Sequence, residues 1–197
     1  MLNLGVLASG GGTNLQALID RSEAGTLAAK VVVVISNNST AGAPERARRH
    51  GIPCYHLSRA TCGDEASLDA AMCETMRRHG VDLVILAGYM RPVGPGLLQA
   101  YPDRVLNIHP ALLPKFGGKG MYGIHVHEAV LAAGEKTTGV TVHLVNSEYD
   151  RGRILSQRTA PVLPGDTPES LQKRVLAIEH EIYADVINKI AAGEIRL

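Results

Sequence analysis

The residues with the most chemical potential are Asn107-Ile108-His109-Pro110. If this stretch is a strand, residues two apart share a face, so Asn107 and His109 point the same way. An amide donor beside an imidazole can hold a developing oxyanion while a proton moves. Histidine suits the second task because its ordinary pKa is about 6.5. Pro110 would end the strand and fix the backbone after the imidazole. The same pair also suits a hydrogen-bonded strand end with no chemistry. A second polar run, Asn146-Ser147-Glu148-Tyr149-Asp150-Arg151-Gly152, carries two carboxylates. A carboxylate reaching His109 would stabilise its protonated form. The alternative is a solvated turn, for which Asn, Ser, Asp and Gly are the usual residues.

Near the start, Ser9-Gly10-Gly11-Gly12-Thr13-Asn14 follows an apolar run. Glycines let backbone N–H groups approach an anion, and a following helix N-terminus favours negative charge. A dinucleotide fingerprint would need glycine at position 15, which is Leu15, and an acidic residue ~20 positions on. Ser36-Asn37-Asn38 stands there instead, and no Walker lysine follows Gly12. NAD and ATP lose support, and a monophosphate gains it; a plain strand-to-helix turn remains the unliganded alternative. Lys115 to Gly123 holds four glycines, which suits a lid or a surface connection equally. His125 and His127 form H-x-H with no third ligand nearby, so no metal is expected, and helix-capping or loop hydrogen bonds are the expected use.

These groups need a scaffold. Leu2 to Ala8, Lys30 to Ser36, Pro53 to Leu57, Leu83 to Ala87 and Val105 to Ile108 read as strands. Val31-Val32-Val33-Val34-Ile35 fits a strand buried on both faces of a parallel sheet. Helices are expected from Asn14 to Arg21 with Thr13 as cap, from Ala41 to His50, and from Glu65 to His79, the last two stopped by Gly51 and Gly80. The order implies an α/β fold: one doubly wound, Rossmann-like, mostly parallel sheet with helices on both faces. Val140 to Val145 and Arg153 to Val162 have no room for a helix between them, so an antiparallel edge is expected. A long helix to about Ala192 follows Pro168, with Leu171, Val175, Ile178, Ile182, Val186 and Ile190 at helical spacing. Ligands in such a sheet sit outside the carboxyl ends of the strands, where both chemical segments fall.

Composition narrows the function further. Twenty basic and 19 acidic side chains leave a charge of +1, which gives nucleic acid no basic footprint. Aromatic residues are 4% of 197, too few for a base-stacking platform. Cys54, Cys62 and Cys73 are odd in number and irregularly spaced, which favours reduced thiols in a cytoplasmic protein. No signal peptide or membrane span is expected.

Taken together, the motifs resemble the 10-formyltetrahydrofolate-dependent formyltransferases. The carrying residues are Ser9 to Gln16, Leu86-Ala87-Gly88-Tyr89-Met90-Arg91, Asn107 to Lys115, Gly139-Val140-Thr141-Val142-His143 and Asp150-Arg151-Gly152. The resemblance runs through the whole chain and implies one catalytic domain over 1–197. It is closest to the members that formylate the glycinamide amine of a ribonucleotide in purine biosynthesis. It implies 10-formyltetrahydrofolate as co-substrate, no required metal, and a monomer or homodimer. Asn107, His109 and Asp150 match the family's catalytic set. Gly11, Gly12, Thr13, Asn14 and Pro110 match substrate contacts, with Glu179 on the ribose. Met90, Arg91, Pro92 and Val93, with Asn107 and Val145, Asn146, Ser147, Glu148, Tyr149 and Asp150, match the folate pocket.

Three places depart from the pattern. A glutamine often precedes the ribose glutamate by three residues, and Leu176 stands there. A basic residue often meets the folate tail where this chain has Asp64-Glu65. The glycine-rich loop before His125 is longer than in some members. The tRNA-formylating and formyltetrahydrofolate-hydrolysing members share Asn107 and His109 but carry an extra domain that 197 residues do not accommodate. A catalytically silent nucleotide-binding module would not need Asn107, His109 and Asp150 together.

Overall fold

A computed structural model describes residues 1–197. Its strands are β1 (Leu2–Ala8), β2 (Ala29–Ser36), β3 (Cys54–His56), β4 (Leu83–Leu86), β5 (Val105–His109), β6 (Thr137–Leu144) and β7 (Ile154–Pro161). They form one sheet in the order β3-β2-β1-β4-β5-β6-β7. The helices are α1 (Thr13–Glu23), α2 (Gly42–Arg49), α3 (Arg59–Cys62), α4 (Glu65–Arg78), α5 (Pro95–Ala100), α6 (Ile124–Ala132) and α7 (Pro168–Ala191). The expected doubly wound sheet and its antiparallel edge are both present. No helix is long and apolar enough to cross a membrane.

The chain divides into two compact units. The first comprises Met1–Leu106 and Ile187–Leu197, the second Asn107–Val186. In the first unit, β1 pairs in parallel with β2 and with β4. Val33, Val34 and Ile35 are fully buried, which accounts for the unbroken β-branched run. Burying each such side chain is worth ~1.5–3 kcal/mol. Gly51 and Gly80 follow α2 and α4 with φ of 66° and 60°, the left-handed conformation that a C-terminal stop requires.

The start of α1 differs from the sequence expectation. Gly12, not Thr13, holds the cap position, at φ 72°, and no side chain caps the helix. Thr13 is the first helical residue. The left-handed turn at Gly12 brings the chain into helical register one residue earlier than a threonine cap would.

Two short helices of this unit are absent from the sequence reading. Ser58 caps α3 by accepting from the Thr61 N–H, a local signal. The donors of α5 are met from outside, since Asp69 on α4 accepts from the N–H groups of Gly96 (2.6 Å) and Leu97 (3.0 Å). A Cβ on Gly96 would lie 2.7 Å from Asp69 Oδ2, so glycine there is what permits the cap.

In the second unit, β6 and β7 pair antiparallel, Thr137 opposite Pro161 and Val142 opposite Ser156. Leu171, Val175, Ile182 and Val186 of α7 are buried, as the helical spacing predicts, whereas Ile178 is only half-buried. Thr141 clamps the chain just beyond β5. Its hydroxyl donates to the Ala111 carbonyl (2.7 Å) and accepts from the Leu113 N–H (3.0 Å) and Gln157 Nε2 (2.9 Å). One donor and two acceptor sites are thereby all used. The consequence is a fixed backbone immediately after His109 and Pro110.

Candidate active site

In the second unit β5 ends at His109, which is 3% exposed, and Asn107 is half-buried two residues earlier. Asp150 comes from the turn between β6 and β7. Its Oδ2 lies 3.7 Å from His109 Nδ1. Asn107 makes no hydrogen bond to His109. Its Nδ2 lies 3.1 Å from Nε2 of His143, and that atom lies 3.5 Å from Asp150 Oδ1. The amide, the two imidazoles and the carboxylate therefore form one connected cluster. His143 was not singled out from the sequence as a site residue. The available signal was a histidine two residues beyond Thr141, between the apolar Val142 and Leu144.

The hydrogen-bond partners fix the orientation of both rings. His109 Nε2 is 2.7 Å from the Phe116 carbonyl. A carbonyl can only accept, so Nε2 carries the proton and Nδ1 is the atom that faces Asp150. His143 Nδ1 is likewise turned to the Leu144 carbonyl at 2.8 Å. Asp150 Oδ2 also accepts from the Gly118 N–H at 2.9 Å. Phe116 and Asp150 both sit at positive φ, 56° and 54°. Such non-glycine positions cost roughly 1–3 kcal/mol each and concentrate at functional sites. Gly117 lies between Phe116 and Gly118, and a Cβ there would lie 3.2 Å from Asp150 Cβ.

Burial lowers the pKa of His109, while Asp150 and the Phe116 carbonyl act to raise it and His143 lowers it; the outcome is below the ordinary value. Burial would raise the Asp150 pKa, but His143, His109 and the Gly118 amide outweigh it and bring it below the ordinary carboxylate value. The cluster thus has a neutral imidazole with a free lone pair beside a fixed negative charge. A proton taken up on Nδ1 would be stabilised at once by Asp150.

The H-x-H pair departs from expectation. Both residues lie inside α6. His125 is exposed and pairs with Glu128 at 3.0 Å, one turn on. His127 is 1% exposed, its Nδ1 has no hydrogen-bond partner, and burial with the nearby His109 brings its pKa down to about 4. It is a buried neutral ring, not a loop hydrogen-bonder. No group of His, Cys, Asp or Glu is arranged to hold a metal ion. Glu179, matched to the ribose by the family resemblance, is buried on α7 at 9% exposure.

In the first unit the glycine loop joins β1 to α1. Gly11 and Thr13 are exposed, Gly12 and Asn14 buried. Ser9 ties this loop to two neighbours: its hydroxyl donates to Asn37 Oδ1 (2.6 Å) and accepts from the Met90 N–H (2.8 Å). Met90, Arg91 and Pro92 are exposed and Val93 half-exposed. Val145 to Tyr149 in the second unit are likewise open to solvent, Val145 partly, with the Glu148 N–H bonded to Asn146 Oδ1 at 2.9 Å. Pro110 is half-exposed.

An amide, an imidazole and a carboxylate gathered at a strand's carboxyl end can support addition to a carbonyl carbon, and such a site defines a group-transfer enzyme. The formyl transferase family model matches residues 2–187, and the chain belongs to that family. It is 44% identical over 194 residues to the chloroplastic phosphoribosylglycinamide formyltransferase of Arabidopsis thaliana, covering 98% of this chain and 66% of that protein. The phosphoribosylglycinamide formyltransferase of Haemophilus influenzae is 37% identical, with 100% of this chain and 91% of the relative covered. The crystal structure of glycinamide ribonucleotide transformylase 1 from Symbiobacterium toebii superposes with a TM-score of 0.93 at 45% identity, over 100% of this chain and 91% of that one. The chain thus spans about two thirds of the plastid relative and nine tenths of the two bacterial ones.

Proposed function

We propose that the protein transfers the formyl group of 10-formyltetrahydrofolate to the glycinamide amine of 5′-phosphoribosylglycinamide, a step of purine biosynthesis. The observation that carries the reading is the connected Asn107–His143–Asp150–His109 cluster, with both imidazoles buried. The glycine loop supports the acceptor half, because it suits a monophosphate and lacks both the dinucleotide and the Walker pattern.

The amine attacks the formyl carbon to give a tetrahedral adduct. Asn107 and His109 stabilise its oxyanion, which is worth several kcal/mol in such sites. Protonation of His109 on Nδ1 against Asp150 makes the ring cationic, and that charge supports the oxyanion. Collapse of the adduct expels N10 of tetrahydrofolate, which takes a proton, and the amine nitrogen loses one. Asp150 assists these transfers through His109 or a water. Gly11, Gly12, Thr13 and Asn14 take the 5′-phosphate, Pro110 the substrate backbone side, and Glu179 the ribose hydroxyls. Met90, Arg91, Pro92 and Val93, with Asn107 and Val145 to Asp150, take the pterin. Residues 1–197 act as one catalytic domain. The site needs no metal, and the protein acts as a monomer or homodimer in the cytoplasm.

The test mixes the protein with both substrates and follows tetrahydrofolate release and formylated product. Equal amounts of the two are expected. Release of tetrahydrofolate with water as the only acceptor, and none tied to the ribonucleotide, would overturn the reading in favour of hydrolysis.

A further inference from the structure

The amide groups of a phosphate-binding loop must point at the ligand, and something must hold them there. In this chain that task falls to α2. The Ala43 N–H donates to the Gly10 carbonyl at 3.2 Å. Nε of Arg46 donates to the Gly11 carbonyl at 2.7 Å, and its Nη1 donates to Gln16 Oε1 on α1 at 3.2 Å. In a planar trans peptide the C=O and the following N–H point in opposite directions. Drawing the Gly10 and Gly11 carbonyls towards α2 therefore turns the N–H groups of Gly11 and Gly12 away from it. The other side of the loop is open, since a Cβ on Gly10 or Gly11 would meet nothing within 4 Å. The side towards α2 is tight: a Cβ on Gly42 would lie 2.9 Å from the Gly11 oxygen, and one on Gly12 would lie 2.9 Å from Ala43.

Arg46 also keeps its charge unspent. Glu45, next to it in sequence, is engaged by Arg48 and Arg49 instead, and Arg46 spends its bonds on a carbonyl and an amide. A guanidinium fixed to the loop's own backbone adds positive potential where no side chain caps α1.

We infer that Arg46 is a positioning residue for the 5′-phosphate, holding the Gly11–Gly12 peptide so that its N–H faces the anion and lending that peptide its charge. This rests on the monophosphate reading of the glycine loop and assigns the loop's geometry to a residue outside it. Arginine suits the task because its planar fork makes two bonds at once, whereas a lysine makes the carbonyl bond without the second brace on Gln16.

The experiment uses Arg46→Gln and Arg46→Lys in the full chain, with ribose 5-phosphate as a competitive inhibitor and ribose as its phosphate-free control. For Arg46→Gln, KM for the ribonucleotide and Ki for ribose 5-phosphate should both rise about tenfold. The loss should fall on KM rather than kcat, the KM for the folate should stay within about twofold, and any ribose inhibition should be unchanged. Arg46→Lys should fall between Arg46→Gln and the parent. A general packing defect would instead lower the melting temperature and shift both KM values together, and that pattern would overturn the inference. So would an unchanged Ki for ribose 5-phosphate in Arg46→Gln. If the parent protein neither binds ribose 5-phosphate nor turns over the ribonucleotide, the loop is not a phosphate site and the functional reading falls with the inference; if the parent does both and the variants match it, only the role of Arg46 falls.

Discussion

His127 should make the protein lose stability in mild acid, and the loss should be removable by one substitution. The ring is 1% exposed on α6 with an unpartnered Nδ1, and its pKa falls from 6.5 to about 4. A histidine whose folded pKa is depressed is bound by a proton more readily when unfolded. Its neutral form therefore contributes stability that is complete above pH 6.5 and is lost as pH falls towards 4. The full lowering corresponds to about 3 kcal/mol. Between pH 7.5 and pH 5.0 the share lost is about 2 kcal/mol. His127→Leu removes the titrating group. At pH 7.5 the variant should stay within about 1 kcal/mol of the parent, because a branched aliphatic side chain of similar volume fits the flat ring's site imperfectly while an unsatisfied nitrogen disappears. Urea unfolding at both pH values measures the difference. Other groups that titrate in this window remain in both proteins, and His109 alone among them acts on His127, as a smaller cause than burial. The parent should lose about 2 kcal/mol more than His127→Leu on going to pH 5.0. Equal losses would mean that His127 is hydrated or charged in the folded protein, and the burial argument would fail.

Further outcomes follow from the same geometry. His109→Ala should lower kcat by on the order of 10²-fold or more, as expected for a group that holds an oxyanion and moves a proton; steady-state kinetics would show it, and a fully active variant would remove His109 from the reaction. Gly12→Ala must adopt φ 72° with its Cβ 2.9 Å from Ala43, so ribonucleotide binding should weaken at least tenfold by calorimetry, and parental affinity would move the phosphate elsewhere. Asp69→Ala strips α5 of two hydrogen bonds from its first turn and should cost about 1 kcal/mol in denaturant unfolding, the usual worth of a helix cap. No change there would mean that solvent serves those donors equally well.

Much of this architecture could be read from residue patterns, and the misses have specific causes. The valine run of β2 and the heptad-like spacing of α7 are local signals that the folded core honours. Helix α5 is only six residues long and draws its cap from Asp69, 25 or more positions away in sequence, so no local pattern announces it. Thr13 looked like a cap because threonine usually is one; the left-handed Gly12 took that place. Asn107 and His109 stand out by residue type, Asp150 is separated from Glu148 only by the family resemblance, and the structure brings the three into one cluster. What joins them, His143, sits in a strand whose apolar neighbours conceal it, and the Phe116 carbonyl and Gly118 amide carry no side-chain signature at all. The role of α2 behind the glycine loop is likewise invisible, because it depends on which way two carbonyls turn.

The position of β7 as the outermost strand has one more consequence, for behaviour in concentrated solution. An open strand edge presents unpaired N–H and C=O groups to any chain that can align with them, and extended apolar edges seed aggregation. Here the edge is defended by its own residues. Pro161 closes the strand and offers no N–H. Arg158, in mid-strand, is held out by Glu181 and Asp185 of α7 at 2.9 and 2.8 Å. These exposed pairs add little to folding. Their value lies in keeping a charged, hydrated side chain on the border of the sheet, where a second molecule would otherwise dock strand to strand.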